Sequence, residues 1–244
     1  MIRTTSARPA GRRGMRAIGA ALVAIALLAG TAACSLGGSS SVPSATAKPP
    51  TGTAGAVNFD KGYIQAGTGS KKVDIWFDPM CPVCGVFEQT NGDKITQAVA
   101  DGSITLRLHP LTFLDRASNG TGYSTRAVAA LTCVAVDDPD GVVGYYQGLF
   151  ENQPEENSDG LTNKELAKRA TDQGLADISD CLADSGTYQA WAQSNTAASQ
   201  AGPVEAPGFK SVTIKGTPTV LVNGEQFAGS VDDAKAFSEF FAKN

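Results

Sequence analysis

The sequence predicts an α/β fold in two sheet-forming halves, separated by an all-helical block. Three observations predict it. The run Lys71–Phe77 is rich in strand formers (Val73, Ile75, Trp76, Phe77) and leads straight into a C-x-x-C pair, Cys81 and Cys84, where a helical pattern starts. From residue 116 to about residue 200 the chain becomes Ala-rich and helical in pattern, punctuated by Pro139, Pro154 and Gly160. Strand signals resume at Thr219–Val222, followed by Asn223-Gly224, a strong hairpin signal, and a last amphipathic helix.

Taken in order, the first 16 residues carry Arg3, Arg8, Arg12, Arg13 and Arg16 and no acid. Residues 17–33 are uncharged, rich in Ala, Leu, Ile and Val, and end in small residues before Cys34. That is the layout of an export signal, so residues 1–33 are expected to be a signal peptide outside the fold. Thr31-Ala32-Ala33-Cys34 resembles a bacterial lipobox, although Leu is more usual where Thr31 stands. The resemblance implies lipidation at Cys34 and a membrane held through that lipid; plain cleavage nearby and an uncleaved anchor are the other readings. Residues 34–56 are rich in Ser, Gly, Pro, Ala and Thr and read as a disordered tether behind the lipobox cysteine. The whole chain carries 20 Lys and Arg against 24 Asp and Glu. Without the five leading arginines, 15 basic side chains face 24 acids, a balance that argues against nucleic acid and against a polybasic membrane patch.

Residues 57–115 read as a βαβ half. A first strand is expected around Tyr63-Ile64-Gln65, and Lys71–Phe77 is the central strand. The C-x-x-C helix follows, with Val86, Phe87, Ile95 and Val99 as core positions, and ends near Asp101-Gly102. Residues 103–108 alternate and form a strand parallel to the second through the helical crossover. Residues 116–205 are the helical insertion, with helices expected over 123–136, 142–150, 161–173 and 178–198. Residues 206–244 supply the second sheet half and a terminal helix from Val231 to about Ala242, capped by Ser230, with Ala234, Phe237 and Phe240 inward.

The C-x-x-C spacing carries chemistry. Cys81 at a helix N-terminus meets unpaired N–H groups and the positive end of the helix dipole, which favour a thiolate. Pro82 sits in the first turn, where a missing N–H costs nothing. Cys84, one turn on, brings a second sulfur within reach, so a mixed disulfide formed at one thiol is resolved by the other. A structural disulfide or half of a zinc site are the competing readings; zinc usually wants a second Cys/His pair, and the chain has a single His. No metal and no cofactor beyond a redox-active Cys81–Cys84 disulfide is expected.

These residues together resemble the thioredoxin fold. The helical block between the βαβ half and the ββα half resembles its DsbA-like branch, over roughly residues 57–244. Cys81-Pro82-Val83-Cys84 and Gly216-Thr217-Pro218-Thr219 fall in the matching halves. The resemblance implies that Pro218 is a cis-proline beside the cysteines and that Thr217 offers its backbone to an extended substrate chain. An ordinary trans-proline at a strand start is the alternative. Asp115-Arg116-Ala117-Ser118-Asn119 through Ala127-Val128-Ala129-Ala130, with Cys133 behind, resembles exported actinobacterial members that carry a second disulfide inside the insertion. This implies a Cys133–Cys181 bridge; four cysteines allow three pairings, and separate buried thiols are the other reading.

Two departures from the family pattern stand out. Many thioredoxin-fold enzymes place a buried acid six residues before the first cysteine as a proton relay. Here that position is Ile75, and Asp74 should point to the other face, since strand side chains alternate. Asp78 is nearer the site, in the loop. Val83 replaces the His that strongly oxidising relatives often carry between the cysteines. His109, at the end of the third strand, is read either as a site-edge residue tuning Cys81 or as a half-buried histidine bonded to a loop carbonyl. Trp76 and Tyr123 line a peptide groove or belong to the core.

The resemblance implies an exported thiol–disulfide oxidoreductase of DsbA type at the extracytoplasmic face of the membrane, acting as a monomer. It would put disulfides into unfolded exported proteins through a mixed disulfide at Cys81, and be reoxidised by a quinone-linked membrane oxidase. An exported reductase or isomerase uses the same residues at another potential, and no separate dimerisation domain of the isomerase kind is visible. A thioredoxin-fold binding lipoprotein with a static disulfide, and a solute-binding lipoprotein, are readings of another class. The body is short for two α/β lobes.

Overall fold

The computed structural model describes residues 46–244. The expected signal peptide (1–33), Cys34 and the tether up to residue 45 lie outside the described residues.

The described residues form one mixed sheet and a set of helices around it. Two short strands come first, β1 (Thr53–Ala54) and β2 (Val57–Asn58), then β3 (Tyr63–Ala66) and β4 (Lys71–Phe77). The segment expected to be tether to residue 56 therefore joins the sheet at Thr53, held partly by a backbone bond from Ala56 N–H to the Ala135 carbonyl at 2.7 Å. Helix α1 (Pro82–Ala100) follows, then β5 (Ile104–Pro110). The insertion holds α2 (Tyr123–Asp137), α3 (Val142–Phe150), α4 (Asn163–Asp172), α5 (Ser179–Ala183) and α6 (Gly186–Ala201). Strands β6 (Thr219–Val222) and β7 (Glu225–Gln226) and helix α7 (Ala234–Lys243) complete the chain. This is the thioredoxin fold with a helical insertion of DsbA type.

The strand order is β1-β2-β3-β5-β4-β6-β7, with β4 and β5 parallel and the other neighbours antiparallel. β4 is central and buried from Val73 to Phe77. Its side chains alternate between two cores. Val73, Ile75 and Phe77 pack with the cysteines, α1, α2 and α3; Trp76 packs on the far side with Leu111, Ala206, Ile214 and Leu221. Fully burying one large apolar side chain contributes roughly 1.5–3 kcal/mol, which fixes the register of this strand. Phe77 meets Tyr146 of α3 edge-on at 4.8 Å between ring centroids, and Phe87 of α1 meets Phe237 of α7 at 5.2 Å. The first contact holds the insertion against the central strand, and the second holds the C-terminal helix against the active-site helix.

Some boundaries differ from expectation for local reasons. The helix expected over 178–198 breaks into α5 and α6 around Asp184 and Ser185. Asp233, not Ser230, caps α7: its carboxylate accepts from Ala236 N–H at 2.9 Å, while Ser230 donates to Asp232. Residues 202–216 form no regular element beyond one Val204–Val212 bridge, and part of this stretch covers the far face of the sheet.

Candidate active site

The carboxyl end of β4 delivers Asp78, Pro79 and Met80 into a turn closed by Cys81 N–H to the Asp78 carbonyl at 3.0 Å. Cys81 is the N-cap of α1 and Pro82 is its first residue. Cys81 and Cys84 are free thiols. Cys81 is 7% exposed, beside the exposed Pro82 and Val83, and Cys84 is 1% exposed. The outer sulfur is therefore the one that an incoming chain meets.

The two thiols are pulled apart electrostatically. The Cys81 pKa is lowered to about 6, first because the Cys84 thiol hydrogen-bonds the sulfur, then because the Thr217 side chain and the Cys84 and Val83 backbone N–H groups do so, against the opposing effect of burial. Cys84 is pushed well above its ordinary value, chiefly by burial and then by Cys81. One thiol is thus a ready nucleophile at neutral pH and the other holds its proton.

The Thr217–Pro218 peptide bond is cis, and the Cys81 thiol lies 3.3 Å from the Thr217 carbonyl as a donor. Residues from opposite ends of the fold meet here, because β6 pairs antiparallel with β4 and starts level with Trp76.

Three groups of the insertion and its preceding loop brace the cysteine turn. Asp78 is wholly buried; one carboxylate oxygen accepts from Met80 N–H at 2.9 Å and Ser124 Oγ at 2.6 Å, the other from Leu114 N–H at 2.9 Å. Burial raises it to about 7 despite these donors. Gln153 donates its Nε2 to the carbonyls of Pro79 at 2.9 Å and Cys81 at 3.0 Å. It passes directly over Gly85, where a Cβ would come within 2.4 Å of Gln153 Oε1, so a larger residue after Cys84 would displace the Gln153 amide. Ser124 and Gln153 bind the active-site turn to the insertion.

Glu88 lies one turn beyond Cys84 on the buried side of α1. Tyr146 of α3 donates its hydroxyl to Glu88 at 2.7 Å. Burial raises Glu88 to about 7, with the tyrosine bond opposing. Sequence reading missed Glu88, Tyr146 and Gln153. The spacing of Glu88 from Cys84 was a visible signal; Tyr146 and Gln153 are distant in sequence and carried none.

The structure does not place His109 at the edge of the cysteine site. It is buried on the far face of the sheet, stacked on Trp76 with ring centroids 4.0 Å apart, its Nε2 2.8 Å from Asp74. Burial lowers its pKa, opposed by Asp74. Asp74 also accepts from Arg107 at 2.6 Å. The alternation of β4 and β5 sends this whole group away from the thiols. Trp76 and Tyr123 are core residues, 2% and 0% exposed. Cys133 of α2 and Cys181 of α5 are joined, closing a separation of 48 residues. Among the described residues, no grouping of three or more His, Cys, Asp or Glu is placed to hold a metal ion.

The chain matches the family described as Thioredoxin over residues 66–240. It is 38% identical over 135 residues to the serine/threonine-protein kinase PknE of Mycobacterium tuberculosis, an alignment that spans 52% of this chain and only 24% of the kinase. Among solved structures it superposes on DsbA from Mycobacterium tuberculosis in reduced form, with a TM-score of 0.58 and 24% identity, covering 75% of this chain and 98% of DsbA. The reduced disulfide bond oxidoreductase DsbG of the same organism gives a TM-score of 0.58 at 25% identity, covering 74% and 92% of the two chains.

Proposed function

We propose, since this chain belongs to the thioredoxin family, that it is a protein thiol–disulfide oxidoreductase whose Cys81–Cys84 pair forms disulfides in exported proteins. The observation that carries this reading is the asymmetry of the pair: Cys81 is lowered to about 6 at the outer end of α1, and Cys84 is buried behind it. In the oxidised enzyme a substrate thiolate attacks Cys81 Sγ. The Cys81–Cys84 bond breaks, and Cys84 leaves with its electron pair and takes a proton. A second substrate thiolate then attacks the substrate sulfur of the mixed disulfide and expels Cys81 as a thiolate. The substrate is oxidised by two electrons and the enzyme is left as the dithiol.

A stabilised Cys81 thiolate favours the reduced enzyme and so makes the disulfide a stronger oxidant. The exposed Val83 and Val86, and the Thr217 backbone beside cis-Pro218, supply an apolar and hydrogen-bonding edge for an extended chain. Val83 does not stabilise the thiolate itself; the Cys84 thiol and the Val83 and Cys84 backbone N–H groups do. The Cys133–Cys181 bridge fits an oxidising compartment outside the cytoplasm, as do the leader and lipobox-like residues 1–34. A quinone-linked membrane oxidase returns the pair to the disulfide. No helix of the described residues is long and apolar enough to cross a membrane. The lipobox-like Thr31-Ala32-Ala33-Cys34 supports anchoring through a lipid on Cys34, which mass spectrometry of the mature N-terminus checks.

The test is the reduction potential of Cys81–Cys84 in glutathione buffers. A value close to about −120 mV is expected for an oxidase; one close to about −270 mV assigns the protein to the reductants instead. A Cys81→Ser variant should form no mixed disulfide; retained cellular function in that variant points to a binding role.

A further inference from the structure

Cys84 poses a proton problem that the thiol pair does not solve alone. It is buried and holds its proton tightly, so it leaves or attacks rapidly only where a neighbour gives or takes that proton. Ile75 occupies the position six residues before Cys81, and Asp74 faces away, bound to Arg107 and His109. Asp78 is closer, but it is wholly buried with both oxygens taken by donors.

Glu88 is placed differently. It follows Cys84 by one turn on the buried side of α1. Oε1 accepts from Tyr146, a residue close enough to Cys84 for their charges to interact. The other oxygen lies over Gly92, where a Cβ would come within 2.8 Å of it. Glu88 also lines a groove of about 470 Å³ between α1 and α3, with Gln89, Asp93, Gln147, Phe150 and Glu151 among its walls. None of the groove-lining residues is cationic. One carboxyl thus has the interior on one side and an open groove on the other.

We propose that Glu88 is the proton carrier for Cys84, passing protons between the buried thiol and water in the groove. This inference rests on the disulfide-exchange reading. When a substrate thiolate opens the disulfide, Cys84 leaves as a thiolate, the Glu88 carboxylic acid protonates it, and the Glu88 carboxylate regains a proton from the groove. In the reverse direction Glu88 takes the Cys84 proton, Cys84 Sγ attacks Cys81 Sγ of a mixed disulfide, and the partner's sulfur departs with the electron pair. Around Glu88 the ionisable groups are Cys84, one turn earlier on α1, Tyr146, which donates to it from α3, and Asp93 and Glu151, which line the same groove. With no cation among them, burial governs its charge, and it titrates at about 7.

The experiment uses the full chain loaded at Cys81 with glutathione, and follows glutathione release by Cys84 from about pH 5 to about pH 9. Wild-type release should inflect near pH 7. Glu88→Gln should slow release by about 10²-fold at neutral pH and move the inflection upward, toward the titration of Cys84 itself. Alkylation of Cys81 should keep its inflection near 6 in that variant. Tyr146→Phe removes a donor to the carboxylate, so its inflection should also move up, with a smaller loss of rate. Glu88→Asp should recover part of the rate. Release in Glu88→Gln within about twofold of wild type, with an unchanged profile, overturns the proposal. So does a Tyr146→Phe profile that does not move. Wild-type protein that never releases glutathione overturns the exchange reading and this inference together, whereas failure confined to the variants leaves exchange standing.

Discussion

Both sides of the sheet hold buried carboxyls, and they are partnered in opposite ways. On the far side, Asp74 sits between the Arg107 guanidinium and His109, under a stacked Trp76. On the thiol side, Glu88 has a tyrosine hydroxyl and no cation, and Asp78 has only N–H and hydroxyl donors. A buried acid paired with a guanidinium ties together the two strands that carry the partners. A buried acid matched only by neutral donors keeps its charge negotiable near neutral pH. The difference separates the part of the sheet that holds shape from the part that can move a proton.

Asp74→Asn leaves the buried Arg107 without its charge partner, and equilibrium denaturation should show a loss of roughly 3–5 kcal/mol. The alkylation profile of Cys81 should stay put, since the substitution is on the other face; a displaced profile means that the two sides are coupled. The next largest effect belongs to the insertion, which carries Ser124, Tyr146 and Gln153 to the thiols. Replacing Cys133 and Cys181 with Ser opens a 48-residue loop and should cost about 2–4 kcal/mol in denaturant. It should leave the potential of Cys81–Cys84 nearly unchanged, since Ser124, Gln153 and the Phe77, Tyr146 and Phe150 rings still hold the insertion against the cysteine turn.

The smallest effect is a pH slope. Glu88 has a folded pKa near 7, above that of an ordinary carboxyl. The folded state therefore binds its proton more tightly than the unfolded chain does. The associated stability is fully present at acid pH, below the unfolded pKa, and is lost as pH rises through 7. Glu88→Gln lacks that loss, so wild type should fall behind the variant in denaturant midpoint as pH rises from about 5 to about 8. Asp78 slopes the same way but is common to both proteins and cancels. Parallel curves place the charged form of Glu88 in an environment as favourable as water, and the contrast with Asp74 then disappears.

Much of the fold was readable because its signals are local. The strand formers before Cys81, Pro82 at the helix start and the Asn223-Gly224 turn each act within a few residues, and together they specified the α/β halves and the dithiol. Alternation along β4 likewise sent Asp74 away from Ile75. What was not readable was which partners arrive. His109 stands level with Trp76 only because β4 and β5 pair in a particular parallel register. Its face follows from that register, not from its proximity in sequence to the site. The same holds for Gln153 over Gly85, for Tyr146 on Glu88, and for the early entry of Thr53 into the sheet. The reactive pair, its place at a helix N-terminus and the helical block between the sheet halves were legible without coordinates, because helix and strand periods and turn chemistry are short-range. Which buried acids meet a guanidinium and which meet only neutral donors was set by the tertiary structure. Burial and hydrogen-bond partners come from segments tens of residues apart, and in a low-dielectric interior those partners set the charge.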